Sequence, residues 1–178
     1  MTKRPGPVTA AGDGSRPLRV LGVDPGLANL GLGVVEEVRK EARLLGTIMV
    51  TTSARQAQGE RLLTLRKELQ AFMALHRPDV VAIEGQFLRH QRQTSFKVGQ
   101  AVGVVLLTVA EAGLPVFEYG PEQVKRSLVG NGRADKAQVG FMVRAILKLG
   151  AVEQRDHVTD ALALALTHLQ SRRLGALA

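Results

Sequence analysis

The chain has 178 residues, 45% of them apolar and 22% charged, which is the composition of a single globular domain. It has no cysteine, so disulfides, thiolate metal sites and cysteine nucleophiles are excluded. Lys and Arg number 24 against 16 for Asp and Glu, and the formal charge of +8 favours a polyanionic partner. No apolar run reaches the ~18 residues of a membrane span, so we expect a cytoplasmic protein.

The first half of the chain predicts a tail, three strands and a helix. Residues 1–17 are rich in Pro, Gly and small polar residues, which is typical of a flexible tail. RVLGVD, from Arg19, is typical of a strand buried on both faces, and LGVVEEV with RLLGTIMVTT predicts an antiparallel meander. Between Ala54 and His76, leucines at spacings of three and four predict an amphipathic helix, which Pro78 ends.

The second half alternates strands with helices. VVAIE repeats the apolar pattern of the first strand and also ends in a carboxylate. A basic loop follows, then a helix from about Phe96 to Ala112, the strand PVFEY, and three helices, of which the last begins near Asp156. This order predicts one α/β domain over residues 18–170, with a mixed sheet flanked by helices and a C-terminal tail at 171–178.

Two carboxylates, Asp24 and Glu84, end the two buried strands. Ligands of open α/β sheets bind beyond the carboxyl ends of parallel strands, so the two side chains meet if their strands are neighbours. Neighbouring carboxylates need a compensating cation, and Mg²⁺ or Mn²⁺ prefers carboxylate oxygen. The alternative is that Asp24 stabilises the turn before Gly26 while Glu84 is a solvated strand end.

The last helix opens with a second pair of candidate ligands. His157 and Asp160 are three residues apart, so both side chains lie on one helix face and can share a ligand. The following ALALALTHL is apolar nearly all round and is expected to pack on the sheet, where an acid needs a partner. The alternative is an exposed histidine beside an acid favoured by the helix dipole, with Asp156 as a candidate cap.

Basic residues concentrate in two stretches. Residues 85–100 include Arg89 and Arg92 and contain no acid, and residues 121–148 hold six basic and two acidic residues. Such segments beside an acidic cluster suit a phosphodiester substrate, because the bases neutralise phosphates while the acids hold metal ions. Phe87 is either a core anchor or a side chain that stacks on a base.

Five segments resemble, in order, the signature segments of the bacterial RuvC family, the crossover junction endodeoxyribonucleases that resolve Holliday junctions. They are LGVDPGLANLGLGVV, PDVVAIEGQF, SFKVGQAVGVVLLTVA, LPVFEYGPEQVKRSLVGNGRADKAQVGFMV and DHVTDALALALTH. The resemblance runs from about Arg19 to His168. It implies a ribonuclease H-like fold, with a five-stranded mixed sheet flanked by helices.

The resemblance also implies a catalytic metal site. Asp24, Glu84 and Asp160 match the family's three acidic ligands, and His157 matches the fourth position. Asp156 competes for that position if the helix start is shifted by one residue. Two Mg²⁺ ions per subunit are implied, with Mn²⁺ as a substitute.

The implied activity is a pair of metal-dependent nicks in strands of like polarity, leaving 5′ phosphate and 3′ hydroxyl ends during recombination and DNA repair. Lys125 and Lys136 match lysines placed near the junction backbone, and Phe87 matches an aromatic used against a base. Gly85 departs from the family, in which a larger polar residue often follows the glutamate, and this predicts a more flexible loop. The implied partners are four-way junction DNA and the RuvA and RuvB branch-migration proteins.

A homodimer follows from the near two-fold symmetry of such a junction, because paired nicks need two active sites. The helix that contains Gly99, Ala101 and Gly103 is the candidate interface, since small side chains let two backbones approach. The alternative is that these residues only pack against the sheet.

Three other functions compete with this hypothesis. A related ribonuclease H-like family, thought to process ribosomal RNA precursors, shares the acids but acts on RNA. An actin-like ATPase has a similar V-D-P-G turn, but needs two such domains, which 178 residues cannot supply. A noncatalytic junction-binding protein would use the acids only to cap turns.

Overall fold

Five strands and five helices make up the part of the chain that the computed structural model describes, residues 16–85, 96–150 and 156–175. The strands are β1 (Leu18–Asp24), β2 (Asn29–Val38), β3 (Glu41–Thr51), β4 (Val80–Glu84) and β5 (Val116–Tyr119). The helices are α1 (Gln58–His76), α2 (Phe96–Glu111), α3 (Pro121–Val129), α4 (Lys136–Leu147) and α5 (Asp156–Gly175). The strands form one sheet in the order β3-β2-β1-β4-β5, which confirms the predicted mixed α/β architecture.

The central strand β1 decides where the acids lie. It pairs antiparallel with β2, which pairs antiparallel with β3, as predicted for the meander. On its other side β1 runs parallel to β4, with Val23 opposite Ile83. The next residues, Asp24 and Glu84, therefore emerge side by side at one edge of the sheet, where ligands of such sheets bind.

Helices cover both faces of the sheet. Leu21 and Ile83 belong to the core shared with α1 and α2, while Val20 and Ala82 belong to the core shared with α3, α4 and α5. Both β1 and β4 are thus buried on two faces, which explains why nearly every residue in them is apolar.

Glycines in the sheet let α5 lie directly on β1 and β2. A Cβ added to Gly22 would overlap the carbonyl oxygen of Ala161, and one added to Gly31 would lie 2.5 Å from the carbonyl carbon of His157. Gly31 is also the cross-strand partner of Asp24. The first turn of α5 is therefore held against the end of β1.

Some of the described contacts involve residues outside the predicted domain range of 18–170. Arg16 forms an ion pair with Asp79, two residues before the predicted start. At the other end, α5 continues to Gly175, into the predicted C-terminal tail. Residues 1–15 and 176–178 lie outside the described residues. None of the described helices is long and apolar enough to cross a membrane.

Candidate active site

A cavity of about 250 Å³ opens where β1 and β4 end. Its acidic lining comes from three elements, with Asp24 ending β1, Glu84 ending β4 and Asp160 near the start of α5. Lys125 of α3 and Lys136 of α4 line the same cavity. The structure thus brings together three predicted metal ligands and two predicted phosphate contacts that are far apart in sequence.

Asp24 is the enclosed carboxylate of the site. Its side chain is 15% exposed, and its Oδ2 lies 2.6 Å from Nδ1 of His157. Burial raises the pKa of Asp24 and the charge of Asp160 adds to that rise, whereas the hydrogen bond and charge of His157 and the charge of Lys136 oppose it. A further positive charge in the cavity would favour the ionised form of Asp24.

His157 contacts Asp24 across the site. Its ring is 41% exposed, and its Nδ1 is the atom that pairs with Asp24. The competing residue, Asp156, is 80% exposed and lies 3.4 Å from the Lys136 ammonium. Of the two, His157 is the one in contact with another predicted ligand, although the fourth metal ligand stays a prediction.

Lys136 is the cation that faces Asp160. Its Nζ lies 3.0 Å from Oδ2 of Asp160. Burial lowers the pKa of Lys136, but the hydrogen bonds and charges of Asp160 and Asp156 outweigh that effect and raise it above its usual value. The lysine therefore carries a full charge at the rim of the cavity.

The chemistry of the donor set fits a hard divalent cation, because three carboxylates line one cavity and an imidazole lies beside them. Within residues 16–85, 96–150 and 156–175, however, no three such side chains are close enough to hold an ion as they stand. His157 instead contacts Asp24, and Lys136 contacts Asp160. A metal ion held by Asp160 would compete with Lys136 for that carboxylate.

Three predicted DNA contacts, Phe87, Arg89 and Arg92, lie outside the described residues. Gly85, just before them, donates its N–H to the carbonyl oxygen of Tyr119 at 3.0 Å. A Cβ on Gly85 would lie 3.2 Å from the Cβ of Glu118, which is a tight contact. The glycine thus allows a close approach to β5, a reason that the sequence did not reveal.

Sequence reasoning also missed a buried polar pair that involves Tyr119, the cross-strand partner of Glu84. The Tyr119 hydroxyl lies 2.7 Å from Nδ1 of His168, whose ring packs on Phe117 at a centroid distance of 4.5 Å. Burial lowers the pKa of His168 to about 4 and raises that of Tyr119 to about 12, so both are neutral at pH 7. The pair ties β5, the neighbour of the strand carrying Glu84, to α5. The only signal of this pair in the sequence was His168, a polar residue within the apolar stretch ALALALTHL.

The sheet order, the two parallel central strands and the acids at their ends define a ribonuclease H-like nuclease fold. The family model described as crossover junction endodeoxyribonuclease RuvC matches residues 20–168. The chain belongs to this family of endodeoxyribonucleases, and the resemblance seen in its sequence is confirmed.

Individual relatives support the same assignment. The RuvC protein of Roseiflexus sp. strain RS-1 is 48% identical over 150 residues, covering 84% of this chain and 89% of the relative. The RuvC protein of Thermus thermophilus is 44% identical over 159 residues, covering 88% of this chain and 96% of the relative.

Solved structures agree with the fold. Thermus thermophilus RuvC in complex with Holliday junction substrate superposes with a TM-score of 0.81 at 43% identity, covering 89% of this chain and 96% of that one. The yeast mitochondrial Holliday junction resolvase has a TM-score of 0.61 at 14% identity, covering 89% and 80%, and shows the fold alone.

Proposed function

We propose that this chain resolves Holliday junctions by cutting two strands of like polarity at the cavity of Asp24, Glu84 and Asp160. The cuts would leave 5′ phosphate and 3′ hydroxyl ends, which a ligase can join during recombination and DNA repair. The observation that carries the proposal is the meeting of three carboxylates and two lysines in one cavity of a RuvC-family chain. The complex of the Thermus thermophilus relative with Holliday junction substrate supports it.

Asp24, Glu84 and Asp160 would hold the metal ions, which we take to be two Mg²⁺ per subunit, with Mn²⁺ as a substitute. Bound ions supply activation of water and neutralisation of charge on the scissile phosphate. His157 orients the Asp24 carboxylate through their 2.6 Å hydrogen bond and is our candidate for the fourth ligand.

The lysines act on the DNA backbone. Lys136 Nζ lies 3.0 Å from Oδ2 of Asp160, and its ammonium would be available to a phosphate oxygen if Asp160 held a metal ion. Lys125 lines the same cavity and adds a second positive charge. Together they reduce the repulsion between the acidic site and the DNA. Phe87 as a base contact, and Arg89 and Arg92 as backbone contacts, remain part of the proposal.

We also propose a homodimer. The exposed face of α2 carries Phe96, 81% exposed, and Leu107, 57% exposed. A Cβ added to Gly99 or Gly103 would meet no described atom within 4 Å, so these glycines do not pack against the sheet. Ala101, named with them, is fully buried in the core instead. Two copies joined along this apolar face would match the two-fold symmetry of the junction.

Two further parts of the proposal rest on family membership. We take the RuvA and RuvB branch-migration proteins as partners that deliver the junction, and the cytoplasm as the location. Endodeoxyribonuclease family membership excludes the actin-like ATPase.

Cleavage of synthetic four-way DNA tests the proposal. The protein is incubated with end-labelled four-way DNA, linear duplex or structured RNA, with and without Mg²⁺, and the products are separated on a denaturing gel. We expect paired cuts in the four-way DNA that require the metal. Asp24→Asn should lose cleavage by orders of magnitude while binding the junction, because it removes a carboxylate charge and leaves the lysines in place. Cleavage of the RNA but not of the four-way DNA, or cleavage that does not require Mg²⁺, would contradict the proposal.

A further inference from the structure

A second hollow shares α3 with the catalytic cavity. Lys125 lines the cavity, and the next residue, Arg126, lines the hollow. The volume of the hollow is about 650 Å³, and its lining is Glu122, Arg126, Gly130, Asn131, Gly132 and Arg133. The hollow lies outside the acidic site, but residues that are adjacent in sequence line the two surfaces.

The two arginines of the hollow have no ion-pair partner among the residues that the structure describes. Across the described ranges, neither Arg126 nor Arg133 has an ion pair or a side-chain hydrogen bond. Other arginines of the chain differ, since Arg19, Arg66 and Arg173 each contact a carboxylate at 3.1 Å or less. Unpaired arginines that face one hollow retain their full capacity to bind an anion.

The loop after α3 fixes where these arginines point. Gly130, at a φ of 82°, ends the helix and donates its N–H to the carbonyl oxygen of Arg126 at 2.9 Å. The backbone N–H of Arg133 donates to the Asn131 side chain at 2.9 Å. A Cβ on Gly132 would lie 3.5 Å from the Arg126 guanidinium, so that group lies directly over the glycine. These contacts order the loop backbone, and both arginines line the hollow beside it.

We propose that Arg126 and Arg133 form a phosphate-binding subsite for the DNA strand beyond the scissile phosphate. Guanidinium groups match phosphate oxygens with paired hydrogen bonds. A strand that runs from Lys125 around α3 toward the loop at Gly130 would reach Arg126 in the second hollow.

This inference rests on the proposed function and adds a specific consequence to it. The subsite touches no reacting atom, so it contributes binding that is equal in the ground and transition states. Its removal should raise KM and the Kd for the junction, with the loss of cleavage confined to junction concentrations below saturation.

The test compares Arg126→Gln, Arg133→Gln and the double variant with Lys67→Gln. Lys67 is an exposed cation on α1, which packs on the opposite face of the sheet. Junction Kd is measured by fluorescence anisotropy at several salt concentrations with Ca²⁺, and kcat and KM are measured with Mg²⁺. Each arginine variant should raise Kd several-fold and reduce the salt slope of log Kd by about 0.9, whereas Lys67→Gln should change neither.

Replacement of Arg126 by lysine shows whether a loss in Arg126→Gln comes from the missing charge or from altered folding. Arg126→Lys should restore the salt slope and part of the affinity, because the charge returns without the paired hydrogen bonds. Wild-type affinity and salt slope in the double glutamine variant would overturn the subsite, and so would a fall in kcat at unchanged KM. Failure of the wild-type protein to cut four-way DNA would instead overturn the proposed function, so the two failures are distinguishable.

Discussion

Substitution of Gly31 by alanine tests whether the close packing of α5 on the sheet sets the geometry of the site. Gly31 faces Asp24 across the β1–β2 pair, and its new Cβ would lie 2.5 Å from the carbonyl carbon of His157 and 3.0 Å from the His157 Cβ. Ordinary van der Waals contact begins near 3.4 Å. The first turn of α5 would therefore have to retreat by about 1 Å, because close-packed backbone cannot absorb the overlap locally.

The size of the effect follows from that displacement. A shift of about 1 Å in a catalytic arrangement costs on the order of 100-fold in rate, or about 2.7 kcal/mol of transition-state stabilisation. Separately from this effect on rate, overpacking lowers the free energy of unfolding by ~1–3 kcal/mol. We expect Gly31→Ala to remain folded and to bind the junction, but to cut it about 100-fold more slowly.

Gly33→Ala is the matched control. Its Cβ would meet the Leu162 side chain, with Cδ2 at 2.6 Å, and Gly33 lies opposite Gly22 in the ladder, not opposite Asp24. Urea denaturation should show a smaller loss of stability for Gly33→Ala, because the end of the Leu162 side chain can rotate away whereas the His157 backbone cannot. Single-turnover cleavage of four-way DNA should fall sharply only for Gly31→Ala. Equal cleavage rates for the two variants, compared at equal folded fraction, would refute the reasoning.

Three other predictions concern the fourth ligand, pH and assembly. His157→Ala should lose most metal-dependent cleavage, while Asp156→Ala should keep it because that side chain is 80% exposed; the reverse pattern in a gel assay would assign the role to Asp156. Burial holds the pKa of His168 near 4 against an ordinary 6.5, so the unfolded chain binds its proton first as the pH falls. This histidine should remove roughly 3 kcal/mol of unfolding free energy between pH 7 and pH 4, and urea titrations of His168→Gln should lack that part. Leu107→Glu should convert a species of about twice 19.1 kDa into a monomer in sedimentation, and an unchanged mass would move the interface elsewhere.

The central strands were predictable because burial on two faces leaves a distinct pattern. RVLGVD and VVAIE are apolar runs that each end in one acid, and the structure places them side by side in parallel. Whether they were neighbours could not be decided from either segment alone. Strand pairing is a tertiary contact, and the sequence made the meeting of Asp24 and Glu84 conditional on it.

Helix boundaries were less predictable, since they depend on individual contacts. The first helix was expected from Ala54 but begins at Gln58, where Glu60 reaches back to the backbone N–H of Ala57 at 3.2 Å. The last helix runs past residue 170 to Gly175. Its final turn is held by contacts with β2 that no local pattern reveals.

In the site, too, the sequence could predict which helix face a residue lies on but not which residue lies opposite it. Spacing correctly placed His157 and Asp160 on one side of α5. It could not show that His157 pairs with Asp24 while Asp160 pairs with Lys136, which comes from α4. Each of these two carboxylates is thus paired with a side chain from another element of the fold.

This pairing predicts that metal and junction DNA assist each other's binding. Lys136 competes with a metal ion for Asp160, and a DNA phosphate competes with Asp160 for Lys136, so each ligand removes an obstacle to the other. Linkage requires the two affinities to rise by the same factor. Calorimetry with Mn²⁺ should show tighter metal binding in the presence of an uncleavable phosphorothioate four-way DNA. Lys136→Met, which removes the exchanging group, should bind the metal at least as tightly without DNA and show a smaller gain with it. An equal gain in Lys136→Met and wild-type protein would show that the lysine does not couple the two ligands.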